Sequence, residues 1–377
     1  MLKKAATSFF VTSFTAILLA LFLSPFLYMI FTSLKTTAQM AIPSAPIWPA
    51  KGQTYVYTGE NKNVVTLKIL KGSTQLLDET IDMTAYNGKT MELYTVTFDD
   101  GTTKDMALLK GFTKGSIFID PANPAADPVA WNGGYYKTLP RVWAFSPAWV
   151  NYVEMWTNIK YPQVLWNTSV YAFLTTIGVL ISCILVAYGF SRFRFPGREF
   201  YFMLLISVLF LPLFVTFIPT FVFWRSISEM GLPFGVGTWW PLIIPRFFAD
   251  PFNVFLFRQY FMTLPRELDE AAMIDGAGPL RILWSVIIPQ SYPVIVAVAV
   301  FHIVWSWNDY FGPLLYLTGH RELWPVSVAL SLVNGQYTQR PELIQAGALL
   351  TLIFPLILFF LAQRFFIQGV VITGVEK

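Results

Sequence analysis

ELDEAAMIDGAGPLRILWSVIIP, running from Glu267 to Pro289, decides how the rest of the chain is read. It opens with three acids, Glu267, Asp269 and Glu270, is broken by Gly276 and Pro279, and closes apolar. Pro265 suits a first helical turn, where its missing N–H costs nothing, and Thr263 is placed to cap. The acids then lie near the positive end of the helix dipole. Gly276 permits the left-handed turn that stops a helix, and Pro279 starts a second helix. Leu264, Leu268, Ala271 and Ala272 fall on one helical face, kept shallow by its two alanines. Physics alone leaves two readings open: an ordinary interfacial loop, or a knob that docks into a groove on a partner.

The composition around this stretch is that of a membrane protein. Of 377 residues, 55% are hydrophobic and 13% charged, against about a quarter charged in soluble chains. A formal charge of +4, scattered along the chain, does not suggest a nucleic-acid partner. Cys183 is the single cysteine, so no internal disulfide forms, and no Cys/His cluster marks a metal site. His302 and His320 are far apart and read as structural or exposed.

A helical span needs about 20 mainly apolar residues. Five segments qualify: Phe9–Leu34, Val164–Phe190, Phe200–Trp224, Val286–Trp307 and Ala346–Phe366. The first is too long, and ends in residues too bulky, for a cleaved signal peptide. A sixth segment, Thr238–Phe257, carries Arg246, Asp250 and three prolines, which suggests a discontinuous helix. With six spans and both termini cytoplasmic, the inner pieces hold Lys3, Lys4, Arg192, Arg194, Arg198, Arg258, Arg266, Arg281, Arg364 and Lys377. The two short outer loops hold only Arg225, Arg321 and Arg340. That is the asymmetry the positive-inside rule demands, and it places Glu267–Pro289 in the cytoplasm.

Residues 50–145 read differently. Val64–Leu70, Met91–Phe98 and Ser116–Ile119 are β-branched and aromatic, and Asn87-Gly88 and Asp99-Asp100-Gly101 are hairpin-type turns. Pro43, Pro46, Pro49 and Pro121, Pro124, Pro128 read as stiff linkers. The acids Asp78, Glu79, Asp82, Glu92, Asp99 and Asp100 read as solvated positions. The expected fold is therefore an all-α polytopic membrane protein with six transmembrane helices and a β-rich extracytoplasmic insertion between helices 1 and 2. Its parts are a tail and first span (1–49), the insertion (50–145) and a core with five spans (146–377).

Glu270-Ala271-Ala272, then Gly276, Val286, Ile288 and Pro289, resemble the EAA loop of ABC importer permeases, here within residues 263–289. Ala187–Phe200 (AYGFSRFRFPGREF), Phe257–Gly278, Trp307–Gly319 (WNDYFGPLLYLTG) and the tail RFFIQGVVITGVEK resemble the carbohydrate-uptake, maltose-type branch. Val286 and Ile288 depart mildly from the usual isoleucine and leucine, and the insertion lies outside the resemblance. The resemblance implies a permease subunit of a bacterial or archaeal plasma membrane. It implies two ATP-binding subunits holding ATP and Mg, a second, homologous permease, and an extracytoplasmic solute-binding protein. It implies that Glu270, Ala271, Ala272, Asp275 and Gly276 form a coupling helix seated in a cleft of the ATP-binding subunit. No cofactor is expected in this chain: a G-x-x-x-x-G-K-[ST] loop is missing, and Lys114 in GFTKGS is a poor imitation.

Intramembrane charges usually face a bundle interior or a cavity, and transporter sites are often built from broken helices. Arg246 and Asp250, four apart, are expected to pair along the substrate path with Asn253, Trp305, Asn308 and Asp309. Trp239, Trp240, Phe247 and Trp307 add ring faces suited to a sugar. The opposing reading is that tryptophans gather at membrane interfaces anyway and that the pair only fixes a kink. A sugar importer is the first functional reading, with a non-sugar solute such as glycerol phosphate in the same branch. An ion-coupled secondary transporter would need carboxylates or histidines in several spans, and the spans offer almost none beyond Asp250. A membrane enzyme, such as a lipid-linked sugar transferase, would need acid and base clusters on surface loops, whereas the cytoplasmic acids crowd into Glu267–Asp275.

Overall fold

The structure, a computed structural model, describes residues 2–72, 75–98, 100–336 and 340–371. Asp99 and the last six residues of the tail therefore lie outside the described residues. The chain forms two compact units: Met1–Asn151 with Arg340–Ala346, and Tyr152–Gln339 with Gly347–Lys377.

The first unit starts with the helix Leu2–Ser33, whose apolar side chains from Phe9 to Ile30 are exposed almost all round. A helix hydrophobic on every side belongs in lipid or against other helices, and Phe9–Ser33 is long and apolar enough to cross a membrane. Its end is pinned by Asn151, whose Nδ2 donates to the carbonyls of Ser33 and Lys35, both at 2.8 Å. The buried Gln39 then steers the chain outward: its amide donates to Pro46 and Trp48 carbonyls and its Oε1 accepts from Ala50 N.

Among the described residues nine strands follow: β1 Ala50–Gly52, β2 Thr54–Val56, β3 Val64–Leu70, β4 Leu76–Asp82, β5 Thr90–Thr97, β6 Thr103–Gly111, β7 Ser116–Ile119, β8 Val129–Trp131 and β9 Trp143–Phe145. β1 pairs with β9, Ala50 opposite Phe145, and ties the two ends of the β region together. Between them lie a five-stranded antiparallel sheet, β2-β5-β6-β7-β8, and the β3–β4 hairpin. Their shared core includes Ile69, Met83, Ile117 and Ile119, all fully buried. Lys110 and Lys71 both hold Glu79, joining the hairpin to β6.

Three local expectations need correction. Asn87-Gly88 does not close a hairpin; it connects β4 to β5, which pairs with β2 and β6. The Pro121–Pro128 stretch is not a boundary linker but the loop between β7 and β8. β4 and β6 carry adjacent charges, Asp78-Glu79 and Lys104-Asp105, and were not expected as strands, yet β4 is an edge that needs only one buried face.

In the second unit, the helix Tyr161–Arg192 is the axis on which the others pack. It and Pro341–Gln363 are long and apolar enough to span. Two of the expected spans are broken. Arg198–Ser207 and Leu213–Glu229 are separated by a turn, with Pro212 at the cap of the second helix. Pro279–Gln290 and Tyr292–Asn308 meet at 80°, where Pro289 and Pro293 lack the N–H groups a continuous helix requires. Thr238–Phe257 is not one helix: Trp240–Ile243, a 3₁₀ turn Ile244–Phe247 and the helix Pro251–Thr263 follow one another. Ala249 between them has φ +49°, a conformation that costs a residue with a Cβ about 1–2 kcal/mol. The described residues therefore contain three helices that qualify as spans, or five when each bent pair counts as one.

Candidate functional site

The EAA helix is Glu267–Ile274. Its start differs from expectation: Arg266 occupies the cap position without a side-chain bond, and Thr263 Oγ1 donates back to Tyr260 O at the end of the preceding helix. Its end is as the glycine requires. Gly276 has φ +76°, its N–H bonds Met273 O at 3.0 Å, and Ala277 N–H bonds Ala272 O at 2.9 Å. This double bond pattern is the Schellman stop.

The face expected from Leu264, Leu268, Ala271 and Ala272 splits. Leu264 and Ala272 pack on the core formed by Ala187, Tyr188, Phe257, Phe261, Ile282 and Ile287. Glu270, Ala271, Asp275 and Gly276 are exposed, as are Leu268, Met273 and Ile274. The helix is thus fixed on one side and open on the other.

What fixes it was not read from the sequence. Asp269 Oδ2 lies 3.0 Å from Arg192 Nε, with side chains only 10% and 7% exposed, and Arg192 also donates to Leu264 O. Arg192 ends the Tyr161–Arg192 helix, so one ion pair ties the EAA helix to the axis of the unit. Burial pushes the Asp269 carboxyl above its ordinary value, against the opposing pull of Arg192 and Arg266. On the far side Tyr188 Oη donates to Pro279 O at 3.1 Å, and Ile282, Leu283 and Ile287 are buried. The segment is thus gripped at both ends.

The second site grows from the broken segment. Gly178 lets the Tyr161–Arg192 helix approach the 3₁₀ turn: a Cβ there would lie 2.8 Å from the Phe247 ring. Ser182 Oγ bonds Arg246 O at 3.2 Å, and Asp250 N bonds Cys183 Sγ at 3.2 Å. Side chains of the neighbouring helix thus satisfy backbone groups that the break frees, as hydrocarbon surroundings demand. This is the work of the single cysteine.

Arg246 and Asp250 do not pair, contrary to expectation. The turn at Ala249 separates them, and Asp250 caps the Pro251–Thr263 helix, its Oδ1 accepting from Asn253 N and Nδ2 at 3.0 Å each. Asn253 is buried there. The Arg246 guanidinium instead lies 4.2 Å from the Trp305 ring centroid. Arg246, Trp305, Asn308 and Asp309 line one cleft of about 570 Å³, with Phe301, Tyr310 and Tyr316 among its walls; Asp250 and Asn253 do not line it. Asp309 is held by Tyr171 Oη at 2.6 Å and by Gly312 N at 3.3 Å. Trp307 is structural: it is buried, stacks on Phe354 with centroids 4.1 Å apart, and donates to Thr351 O.

Tyr171 was missed. The signal was present in the stripe Asn167, Tyr171, Thr175, Gly178 and Ser182, small or polar residues at helical spacing, all buried. His302 is buried and stacks on Trp305, whereas His320 lies in a loop beside Glu322 at 3.1 Å.

The described residues thus combine a bent, proline-broken helical core, an exposed acidic knob and a mainly apolar cleft edged by Arg246, Asn308 and Asp309. Residues 176–371 match the family described as binding-protein-dependent transport system inner membrane component, and the chain belongs to that family. It is a membrane-embedded permease subunit of an ABC importer, and the ATPase of such systems lies in separate subunits. The osmoprotective compounds uptake permease protein GgtD of Synechocystis sp. is 33% identical over 228 residues, covering 60% of this chain and 74% of that protein. The sn-glycerol-3-phosphate transport system permease protein UgpE of Yersinia pestis is 35% identical over 231 residues, covering 59% and 79%. A bacterial ABC transporter involved in the import of the acidic polysaccharide alginate contains a chain of similar fold. That chain has a TM-score of 0.51 at 23% identity, with 60% of this chain and 82% of that one covered.

Proposed function

We propose that this permease forms half of a translocation path for a sugar or oligosaccharide, completed by a second, homologous permease. Two ATP-binding subunits supply ATP and Mg. The EAA helix enters a cleft of one of them through Glu270, Ala271, Asp275 and Gly276, with Ala272 set between them on the side that packs against the core. The observation that carries this reading is the two-sided build of that helix: fixed by the Arg192–Asp269 pair, with Glu270 and Ala271 exposed. Motion of the cleft is then passed to the spans as rotation about a hinge. The chain has six spans, one in residues 1–49 and five in the core, with both termini cytoplasmic. The cleft of Arg246, Trp305, Asn308 and Asp309 lies on the path, and a guanidinium stacked on an indole beside amide and carboxylate groups suits hydroxyl-rich solutes. Glycerol phosphate or another non-sugar solute is the alternative cargo, favoured by the single cation of that cleft.

Residues 50–145 form an outer domain that contacts the solute-binding protein and orients it over the path. Cysteine at Ala271, in a chain whose own Cys183 is buried, is expected to cross-link to the ATP-binding subunit, and the link should respond to nucleotide. ATPase activity from the purified chain alone, or no cross-link in an assembled complex, would overturn the coupling role. Replacing residues 50–145 by a short Gly/Ser linker should weaken stimulation of the ATPase by the binding protein. Undiminished stimulation and uptake at low binding-protein concentration would refute the docking role.

A further inference from the structure

Five arginines gather near the EAA helix: Arg192, Arg194, Arg198, Arg258 and Arg266. Two of them are plainly spent. Arg192 holds Asp269, and Arg258 stacks on Phe202 at 4.0 Å while reaching Glu199 at 3.3 Å. Glu199 Oε1 is also 2.7 Å from Arg198. Around these lies an open cleft of about 510 Å³ lined by Arg194, Arg198 and Arg266, with Phe195 and Phe200 as its apolar walls. Its one acid, Glu199, is the carboxylate already shared by Arg198 and Arg258. Arg194 and Arg266 have no ion-pair partner among the described residues. Among the described residues the cleft thus sets three guanidinium groups against the one carboxylate of Glu199, with Asp269 acting on Arg266 from outside it.

We infer that this cleft binds the phosphate of an anionic phospholipid, an inference that rests on the cytoplasmic placement of the EAA segment. Guanidinium groups take phosphate oxygens in paired, charge-assisted hydrogen bonds. The cytoplasmic leaflet is negatively charged and draws basic clusters beside membrane spans. The occupant is a lipid rather than a soluble anion because of where the cleft lies. Arg198 is the first residue of a helix that forms half of a broken span. Phe195 and Phe200 are 38% and 67% exposed beside the guanidinium groups. A headgroup seated among the arginines would lay its glycerol and acyl carbons against those rings. It would also bridge Arg194, just beyond the long helix, to Arg266, at the root of the EAA helix. The lipid thus acts as a second tie on the coupling segment, outside the Arg192–Asp269 pair.

The test uses the assembled transporter in nanodiscs of phosphatidylcholine alone or with phosphatidylglycerol. Lipid retained by the complex is weighed by native mass spectrometry, and ATPase stimulation by the binding protein is measured on the same samples. Wild-type complex should retain phosphatidylglycerol selectively and couple better in its presence. R194Q/R266Q should lose about 25-fold in that retention, about fivefold for each arginine near a charged surface, and lose the lipid dependence of coupling. R194K/R266K should recover part of both. Equal retention in the wild type and R194Q/R266Q would overturn the inference. So would full replacement of the lipid effect by inorganic phosphate in phosphatidylcholine discs, which would make the cleft a soluble-anion site. So would cross-linking of a cysteine at Arg194 to the ATP-binding subunit without any lipid effect, which would make that subunit the occupant. The Ala271 cross-link, run in parallel, reports seating of the EAA helix without reference to lipid, so failure of the coupling reading is seen separately.

Discussion

Replacing Asp269 by alanine tests the tie between the EAA helix and the long helix. The two charges are 3.0 Å apart and both side chains are at least nine-tenths buried. At an effective dielectric constant of ~20, their gross attraction is about 5–6 kcal/mol. Burial opposes it, and strongly enough that the Asp269 carboxyl sits above its ordinary value despite Arg192. The pair is therefore poor as a source of net stability, but removing one member strands the other. Breaking a buried pair costs about 3–5 kcal/mol, which is two orders of magnitude or more in the balance between seated and loosened EAA helix. Asp269→Ala and Arg192→Met should each uncouple ATP hydrolysis from uptake in proteoliposomes. The double variant Asp269→Ala/Arg192→Met should recover coupling, because two apolar groups leave no charge unpaired. Solute imported per ATP hydrolysed is the quantity to measure, arranged as a double-mutant cycle. Wild-type ratios in both single variants, or strictly additive losses in the double variant, would refute the reasoning. The pH sign also follows. A carboxyl raised above its unfolded value of about 3.9 favours the folded state most when protonated. Its contribution is present below that value and lost as pH rises through the raised one.

At Gly276, a Cβ meets nothing within 4 Å while φ is +76°, so the chain itself limits conformation and not size. Alanine should cost about 1–2 kcal/mol in helix termination, asparagine less, and leucine should add a loss of ATPase-subunit seating, read as complex assembly and coupling ratio. Arg246→Ala and Trp305→Ala should each lower uptake about two- to fivefold, since a part-exposed cation–π contact is worth about 0.5–1 kcal/mol, with solute affinity of the binding protein unchanged. Asp250→Ala should cost stability of about 1 kcal/mol through the lost helix cap while leaving specificity intact, and a changed solute preference would return Asp250 to the path. Lys110, then Lys71, holds the Glu79 carboxyl below its ordinary value. The stability this adds is present above the unfolded value of about 4.3 and lost as pH falls through the lowered one. Hydrogen exchange of the β3–β4 hairpin should accelerate across that interval in wild type and not in Glu79→Gln.

Much of the site was legible because its signals are local. Glycine with a positive φ ends the EAA helix where Gly276 stands, since the alternatives carry a Cβ that the left-handed region resists. β3 and β7 match the expected Val64–Leu70 and Ser116–Ile119 residue for residue, because β-branched residues declare a pleated, half-buried surface. β4 and β6 were less legible, because their charges answer one another across the fold, as Glu79 does with Lys71 and Lys110.

From sequence alone came the membrane class, the positive-inside asymmetry, the EAA pattern and its resemblance, and the residues Arg246, Asp250, Asn253, Trp305, Asn308 and Asp309 as a set to watch, of which all but Asp250 and Asn253 line one cleft. All of these depend on composition or on spacing within a few turns of backbone. Only the tertiary structure decided partners. It turned Asp250 from the mate of Arg246 into a helix cap, stacked Arg246 on Trp305, gave Asp309 to Tyr171 and gave Asp269 to Arg192. A buried charge or hydroxyl takes whichever partner packing brings within about 3 Å, and that proximity is set by long-range contacts between helices, which spacing along the chain does not encode.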